Sequence, residues 1–278
     1  FLQGLVSNDV NKVTGGRAVY AAMLTPQGKF LHDFFIAELE GILHLDCEAE
    51  RRDDLMRHLA RFKLRARVSI EPRDLAVIGL FGAGAVGALD LEDAGGRAEA
   101  GRARRWAGGV AFVDPRLVAL GARAIAPRGE AERAAEAAGF RLAATADYER
   151  VRLAHGVPDG SRDLEVEKSL LLESNFEELN GLDWDKGCYL GQELTARTKY
   201  RGLIKRRLVS VTIDGPAPAP GTPVLLGGAE AGVMRTSLEG RGLALLRLEA
   251  VESAEAGGAV LEAAAARLRP VRPSSTAT

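Results

Sequence analysis

DKGCYLGQELTARTKYRG, residues 185–202, is the most informative stretch of this sequence. Gly187 and Gly191 flank Cys188, and glycine lets the backbone turn tightly and lets a ligand approach closely. The residues after Gly191 have a helical pattern, which predicts that Cys188 lies just ahead of a helix N-terminus. The partial positive charge there, together with Lys186, favours a thiolate. The stretch therefore predicts a reactive or metal-binding thiol; the alternative is a cysteine that packs as a small apolar side chain.

A run of cationic side chains begins in the same stretch. No carboxylate interrupts it between Leu194 and Ile213. Such a strip suits a polyanion, whether a phosphate chain, a polyglutamate tail or RNA, and Tyr200 could stack on a ring. The alternative is a solvated basic face. The strip consists of Arg197, Lys199, Arg201, Lys205, Arg206 and Arg207.

Acidic residues supply a second candidate binding group. A carboxylate can accept paired hydrogen bonds from an amino-pyrimidine edge of the kind that pterins present. Surface salt bridges are the alternative explanation for any one of them. The group consists of Asp9, Asp33, Glu173, Glu177 and Glu178.

The histidines and cysteines show no metal-binding spacing. His32 and His44 lie on predicted strands, where a lone histidine is usually structural. Cys47 and Cys188 are far apart, so we expect no disulfide framework and a reducing compartment. A protein-held iron–sulfur cluster usually takes four thiolates, which this chain cannot supply. We therefore predict no resident metal.

Composition bounds the remaining possibilities. The 278 residues are enough for two or three compact units. Lys and Arg number 37 against 38 Asp and Glu, so any polyanion contact would be local. No run of about 18 apolar residues exists, which argues against a membrane-spanning helix. Because the chain begins at Phe1 rather than Met, we expect that the natural N-terminus lies upstream.

Strands and helices mix along the first 200 residues, and the end of the chain is strand-rich. The segment 214–221, DGPAPAPG, is typical of a linker. Past it, short apolar runs alternate with glycine, which predicts a small β-barrel, and 269–278 reads as a frayed tail. Strands are predicted at 18–24, 30–38, 42–47, 75–81, 109–114, 122–127 and 205–213, with a hairpin turn at Glu40-Gly41. Helices are predicted at the start of 1–10, where Ser7, Asn8 and Asp9 break the pattern, from 48, at 130–138, at 145–156 and after 191.

The octapeptide KGCYLGQE at 186–193 resembles the K-G-C-[FY]-x-G-Q-E signature of the YgfZ family, a sister group of the glycine-cleavage T-protein (GcvT, an aminomethyltransferase). Four further segments resemble family blocks: FLQGLVSNDV, LTPQGKFLHDFFIAE, VRLAHGVPDGSRDL and LLLESNFEELNGLDW. The segments SNF and GQELTAR are most similar to the branch that contains the mitochondrial cluster-assembly factor. The resemblance covers most of residues 1–213.

The resemblance implies an α+β architecture. It implies a GcvT-like folate-binding fold of ferredoxin-like α/β subdomains around a central pocket, with a small C-terminal β-barrel. The predicted domains are a folate-binding region at 1–205, with subdomains at about 1–72 plus 141–205 and at 73–140, and a barrel at 206–278.

The resemblance also implies a function. It implies tetrahydrofolate as cofactor, a role in iron–sulfur cluster assembly or repair with assembly proteins and client enzymes as partners, and an effect on tRNA modification. The expected compartment is the bacterial cytoplasm or the mitochondrial matrix. By position, the Glu173 carboxylate would hydrogen-bond to the pterin ring, and Asp33 falls in the T-protein's paired-Asp site. The predicted folate-binding residues are Glu173, Asp33, Tyr148, Asn175, Tyr189, Arg197 and Arg201, and the candidate catalytic residues are Cys188 and Asp33.

Two other functions stay open. The T-protein has two adjacent Asp residues where this chain has His32-Asp33, and T-proteins lack the cysteine signature, so full aminomethyl transfer is in doubt. A folate-dependent one-carbon transferase or demethylase would use Asp33 as general base. An RNA-binding module would use the cationic strip, and steep salt dependence of tRNA binding would favour it.

Overall fold

The computed structural model describes residues 1–257 and 260–271, and the chain divides into two compact units. Unit 1 contains Phe1–Ala143 and Glu177–Gln192, and unit 2 contains Ala144–Phe176 and the chain from Glu193 onward. Within the described ranges, no helix is long and apolar enough to cross a bilayer.

A three-stranded antiparallel sheet with the order β1-β2-β3 opens unit 1. Every residue of β1 is buried, and the β2–β3 hairpin turns at Glu40 and Gly41, both with positive φ, as the sequence predicts. The helix α1 buries Leu55 and Leu59 in the core of this sheet. The elements are β1 Val19–Leu24, β2 Phe30–Leu39, β3 Ile42–Cys47 and α1 Arg52–Lys63.

A four-stranded antiparallel sheet with the order β4-β7-β6-β5 follows in the same unit. Strand β6 is buried along its whole length. The two sheets of unit 1 meet where Phe35 packs near Phe112 and where Arg123 pairs with the buried Asp46 at 2.7 Å. The elements are β4 Ala76–Leu80, α2 Ala85–Ala88, β5 Ala103–Trp106, β6 Gly109–Val113, β7 Ala122–Ala126 and α3 Arg128–Ala137.

The helix predicted at the start of the chain, before Ser7, is wrong. Only Leu2–Gly4 forms a single 3₁₀ turn, and Val6 then makes a β-bridge with Met23. The N–H of Ser7 donates to the carbonyl of Ala22 at 2.9 Å. Tertiary pairing with β1 therefore overrides the apolar helical pattern of this short segment.

Unit 2 contains a closed six-stranded barrel with the order β10-β11-β8-β13-β12-β9. Its apolar core includes Val211, Val224, Met234 and Leu246. The α+β class and the C-terminal barrel are thus confirmed. The elements are α4 Thr145–Ala154, α5 Gly160–Asp163, α6 Gln192–Tyr200 (whose first residue belongs to unit 1), β8 Arg206–Asp214, β9 Pro223–Leu226, β10 Ala229–Leu238, β11 Arg241–Arg247, α7 Leu248–Glu255, β12 Leu261–Ala263 and β13 Ala266–Val271.

Two expectations about the end of the chain change. The segment 214–221 is no linker between domains, because it joins β8 to β9 inside the barrel. Residues 269–271 of the predicted frayed tail belong to β13, which pairs with β8. The rest of that predicted tail, 272–278, lies outside the described residues.

Gly191, in the signature stretch, is tightly confined. Its φ is +82°, and a Cβ there would lie 2.5 Å from the carbonyl oxygen of Thr25 and 2.8 Å from Cβ of Leu24. Both distances are too short for a real carbon contact. A Cβ at Gly187, in contrast, would meet no heavy atom within 4 Å. Of the two glycines, only Gly191 is required by packing.

Replacing Gly191 by alanine should destabilise the protein by about 2–4 kcal/mol, because it combines a positive φ with overpacking against backbone. Gly187→Ala is the matched control and should change stability by less than about 1 kcal/mol. Urea unfolding of the full chain measures both. Equal stabilities of the two variants would contradict the packing role of Gly191.

Candidate functional site

The ammonium group of Lys186 holds the signature segment to the start of the chain. Lys186 is buried, and its Nζ donates to the carbonyl oxygens of Gln3 at 2.8 Å, Val6 at 2.5 Å and Asn8 at 2.9 Å. The same ammonium lies 5.0 Å from the centre of the Tyr189 ring. Three charge-assisted hydrogen bonds satisfy all three N–H donors of a lysine. Lys186 therefore has a structural task that the sequence analysis did not assign.

Side chains of the N-terminal segment reinforce this connection. The hydroxyl of Ser7 donates to the carbonyl of Gly181 at 2.6 Å and accepts from the N–H of Ala22 at 2.8 Å. The amide of Asn8 donates to the carbonyls of Tyr20 and Asn180. The sequence analysis read this Ser-Asn pair only as a helix breaker. Instead, it joins the segment before the signature to β1.

The two cysteines differ in exposure. Cys188 is exposed and Cys47 is half-buried. Burial, followed by the charge of Asp46, raises the pKa of the Cys47 thiol to about 11. A thiol with such a pKa is almost entirely protonated at neutral pH and reacts slowly. Cys188 is therefore the thiol that a reagent, a metal or a partner can reach.

Asp33 accepts a hydrogen bond from a buried tyrosine. The Tyr20 hydroxyl lies 2.7 Å from Asp33 Oδ2, and burial followed by the charge of Asp33 raises the pKa of Tyr20 well above its ordinary value. The guanidinium of Arg116 packs over the Tyr20 ring. Neighbouring residues of a strand face opposite sides, so His32 points elsewhere and the adjacent His32-Asp33 side chains form no joint carboxylate-like pair.

Glu173, in unit 2, is buried and paired with an arginine at the start of β8. Arg206 Nη2 lies 3.0 Å from Glu173 Oε2, and Nε lies 3.3 Å from Oε1. The Arg206 side chain is 50% exposed. Two residues along, Asn175 donates to the carbonyl of Leu208, also on β8, while its buried Oδ1 has no hydrogen-bond partner within the described part of the chain.

A cavity of about 690 Å³ opens at this pair, within unit 2. Its volume lies in the range typical of small-molecule sites. Its charged lining has three cations against two carboxylates, and this small positive excess favours an anionic group. The lining residues are Glu173, Leu203, Lys205, Arg206, Arg247, Leu248 and Glu249.

The other predicted site residues are distributed over both units. Tyr189 is buried in unit 1, the unit that also contains the exposed Cys188 and Asp33. Tyr148 lies on α4, which packs against β11. Arg197 pairs with Glu193 one turn earlier on α6, and Arg201 follows the end of that helix. The described contacts of unit 2 bring Glu173 and Asn175 to the same strand.

Comparison with known proteins gives the family. The human protein "Iron-sulfur cluster assembly factor IBA57, mitochondrial" is 34% identical over 274 residues, which span 91% of this chain and 73% of that protein. The mouse protein of the same name is 33% identical and spans the same shares. This chain belongs to the IBA57 family. Residues 205–277 also match the family described as "CAF17, C-terminal beta-barrel domain".

A solved structure supports the fold of this IBA57-family chain. The crystal structure of glycine cleavage system aminomethyltransferase T from Bartonella henselae aligns with a TM-score of 0.75 and 15% identity, over 98% of this chain and 79% of that one. At this identity the likeness concerns the fold alone. The expected membership in the wider YgfZ/GcvT-like group is confirmed.

The sequence analysis missed the partner of the candidate pterin-reading carboxylate. It assigned Arg206 to a continuous cationic strip, whereas Arg206 pairs with Glu173 and Arg197 pairs with Glu193. A signal existed for the second pair, because Glu193 and Arg197 are four residues apart on a predicted helix. No sequence spacing predicts the first pair, which joins residues 33 positions apart.

Replacing Lys186 by methionine in this IBA57-family chain should lower the free energy of unfolding at pH 7 by about 2–5 kcal/mol. Each unpaired buried carbonyl costs about 1–3 kcal/mol, which outweighs the relief of removing one buried charge. Urea unfolding measures the change, and Lys168→Met, which removes an exposed lysine paired with Glu165, is the control. A wild-type stability for Lys186→Met would contradict the anchoring role.

The free energy of unfolding should depend differently on pH in wild type and in Lys186→Met. Burial lowers the pKa of Lys186 from 10.5 to about 8. Between these values the unfolded chain binds more protons than the folded chain, so this lysine adds stability as the pH rises and loses it as the pH falls through 8. The stability difference between wild type and Lys186→Met should widen by up to about 3 kcal/mol across this window. A constant difference would contradict the lowered pKa.

Thiol labelling should separate the two cysteines. At pH 8 a pKa of about 11 leaves about one Cys47 thiol in a thousand as thiolate. A maleimide should therefore label the exposed Cys188 on the order of 100-fold faster than Cys47. Mass spectrometry of timed samples follows both sites. Cys188→Ala should lose the fast phase and Cys47→Ala should keep it; a fast phase that persists in Cys188→Ala would show that Cys47 is accessible and reactive.

Proposed function

We propose that this chain assists iron–sulfur cluster assembly or repair and that Cys188 is the residue through which it contacts the iron–sulfur species. The observation that carries the proposal is the exposure of Cys188 on the family signature segment, in a chain whose relatives are named iron–sulfur cluster assembly factors. Thiolate is the usual protein ligand of iron–sulfur clusters. The expected partners are assembly proteins and client enzymes.

The small number of cysteines in the chain limits the way in which Cys188 can act. The chain has two cysteines, and the second is half-buried with a raised pKa. A cluster that usually takes four thiolates therefore needs ligands from a partner, a second chain or a small thiol. The cluster is cargo in this proposal, and the chain contributes a single ligand to it.

The role of Cys188 can be tested by rescue in the host cell. After depletion of the chain, re-expressed wild type should restore the iron and acid-labile sulfide content of cluster-containing enzymes, and Cys188→Ala should not. Cys47→Ala is the matched control and should rescue. Full rescue by a Cys188→Ala protein at normal abundance would overturn the thiol role.

We further propose that tetrahydrofolate binds in unit 2, at the cavity beside Glu173. The Glu173 carboxylate and the unpartnered Oδ1 of Asn175 are acceptors for the amino-pyrimidine edge of a pterin. Lys205 and Arg247 line the same cavity and suit the anionic glutamate tail. Tyr148, Arg197 and Arg201, also in unit 2, keep their predicted folate roles as part of this proposal. The folate roles predicted for Tyr189 and Asp33, in unit 1, stay predictions outside it.

Binding requires Glu173 to exchange its arginine partner for the ligand. The exchange is close to balanced, because the pterin edge replaces the hydrogen bonds that Arg206 makes to Glu173, and the half-exposed guanidinium regains water. Hydrogen bonds of a buried carboxylate to a charged donor contribute about 1.5–3 kcal/mol each. The released Arg206 would then be available to an anionic group of the ligand.

Calorimetric titration with tetrahydrofolate tests this part separately. Wild type should bind saturably, and Glu173→Gln should weaken binding at least tenfold, which corresponds to about 1.4 kcal/mol. Glu239→Gln is the matched control, since Glu239 also pairs with an arginine, Arg150, in unit 2. Unchanged binding by Glu173→Gln, or no binding by folded wild type, would overturn the folate proposal and leave the cluster role to its own test.

Three finer functional predictions are supported by no contact among the described residues. Use of Asp33 as general base in one-carbon transfer, contact with tRNA and an effect on tRNA modification stay predictions. The relatives are named mitochondrial proteins. For this chain we propose the corresponding compartment, the mitochondrial matrix or the bacterial cytoplasm.

A further inference from the structure

Two histidines and an aspartate converge in unit 1. His32 lies on β2, and Asp54 and His58 lie four residues apart on one face of α1. One potential ligand atom from each residue lies within 4.8 Å of the other two. His32 Nε2 is 3.2 Å from Asp54 Oδ2, and His58 Nδ1 is 3.6 Å from the same oxygen.

His32 Nε2 points into this cluster and has no hydrogen-bond partner among the residues that the structure describes. Its side chain is 3% exposed, and the nearby Asp54 oxygen is not aligned for a hydrogen bond with Nε2. A buried ring nitrogen that lacks a partner is unfavourable, and a metal ion would satisfy it. Burial, followed by the charge of Arg51, lowers the pKa of His32 to about 4. The ring is thus neutral at physiological pH, which is the form that binds metals.

We propose that His32, Asp54 and His58 form a binding site for a divalent transition-metal ion of the Zn²⁺ or Fe²⁺ type. Two imidazoles and one carboxylate suit these ions, whereas Mg²⁺ and Ca²⁺ prefer oxygen ligands. The three residues come from two elements and fit no sequence motif, which is why the sequence analysis predicted no metal. The site does not depend on the proposed role of Cys188.

Metal binding requires the three ligand atoms to move slightly closer together. Zinc bonds of about 2.0–2.1 Å place neighbouring ligand atoms about 3.3 Å apart, so His32 and Asp54 already have a suitable separation. The three ligand atoms lie within 4.8 Å of one another, so the widest separation must shrink by at most about 1.5 Å. His58 Nδ1 also lies 3.0 Å from the backbone carbonyl oxygen of Asp54, so the ring, whose side chain is 18% exposed, must rotate away from that contact to bind the ion. Asp54 is 34% exposed, so an ion can enter and retain water ligands.

Two arginines lie beside Asp54 and would repel a bound cation, which provides a further test of the site. Arg57 Nη2 is 3.1 Å from Asp54 Oδ1, and Arg51 Nη2 is 3.4 Å from Oδ2. Arg51 is also tied to the carbonyl of Leu31, while Arg57 is 65% exposed and makes a weak surface pair. Both positive charges repel a cation. Removing the Arg57 charge should therefore strengthen metal binding, whereas a purely structural cluster would show no such gain.

Metal titration of the full chain, without an affinity tag and in a Cys188→Ala background that removes the exposed thiol, tests the site. Zn²⁺ should bind at one ion per chain, and Co²⁺ should give a visible absorption band at the same stoichiometry. His58→Gln and Asp54→Asn should weaken Zn²⁺ binding at least about tenfold, since loss of a direct ligand exceeds the usual effect of an outer-sphere partner. His44→Gln, in the neighbouring strand β3, should leave affinity within about twofold.

Three further readings complete the experiment. Arg57→Gln should tighten Zn²⁺ binding by a few-fold, Mg²⁺ should not compete, and Zn²⁺ should displace Co²⁺, whereas Fe²⁺ under anaerobic conditions should compete with Co²⁺ only in excess. The partly exposed His58 position keeps the test valid if a variant at the buried His32 fails to fold. Absence of stoichiometric binding, or equal affinity of His58→Gln and His44→Gln, would overturn the proposal.

Discussion

The buried ammonium of Lys186 is the interaction on which the signature region depends. Its Nζ donates to the backbone carbonyls of Gln3, Val6 and Asn8 in the N-terminal segment. Burying a charge is costly unless all its donors are satisfied, and here three acceptors match three N–H groups. The N-terminal segment and the stretch before Cys188 therefore hold one another in place.

Consequences follow for the thiol two residues later. Because Lys186 is fixed on one side and Gly191 is packed against the Thr25 carbonyl on the other, the loop between them has little freedom to retract. Cys188 is left exposed on this constrained loop, while Cys47 is half-buried beside Asp46. The same local packing that stabilises the loop thus presents one of the two thiols.

Local patterns predicted most of the architecture. Apolar runs of strand length and the Glu40-Gly41 turn were sufficient for β1 to β3, and short apolar runs that alternate with glycine were sufficient for the barrel. The pattern failed at residues 1–10, where Ser7 and Asn8 pair with β1 and with residues 180–181 instead of breaking a helix. Such pairing depends on contacts about 170 positions apart, which periodicity cannot report. The pairing of Glu173 with Arg206 and the convergence of His32 on α1 escaped sequence analysis for the same reason.

The central claim is that Cys188 supplies one ligand to an iron–sulfur species that the chain cannot hold alone. Anaerobic reconstitution of the purified chain with ferric iron and sulfide, with and without glutathione as an external thiol, tests it most directly through the iron and acid-labile sulfide bound per chain. The account predicts a stable cluster only when wild type and the external thiol are both present. A cluster that Cys188→Ala binds to the same extent, or wild type that binds none with glutathione, would contradict it.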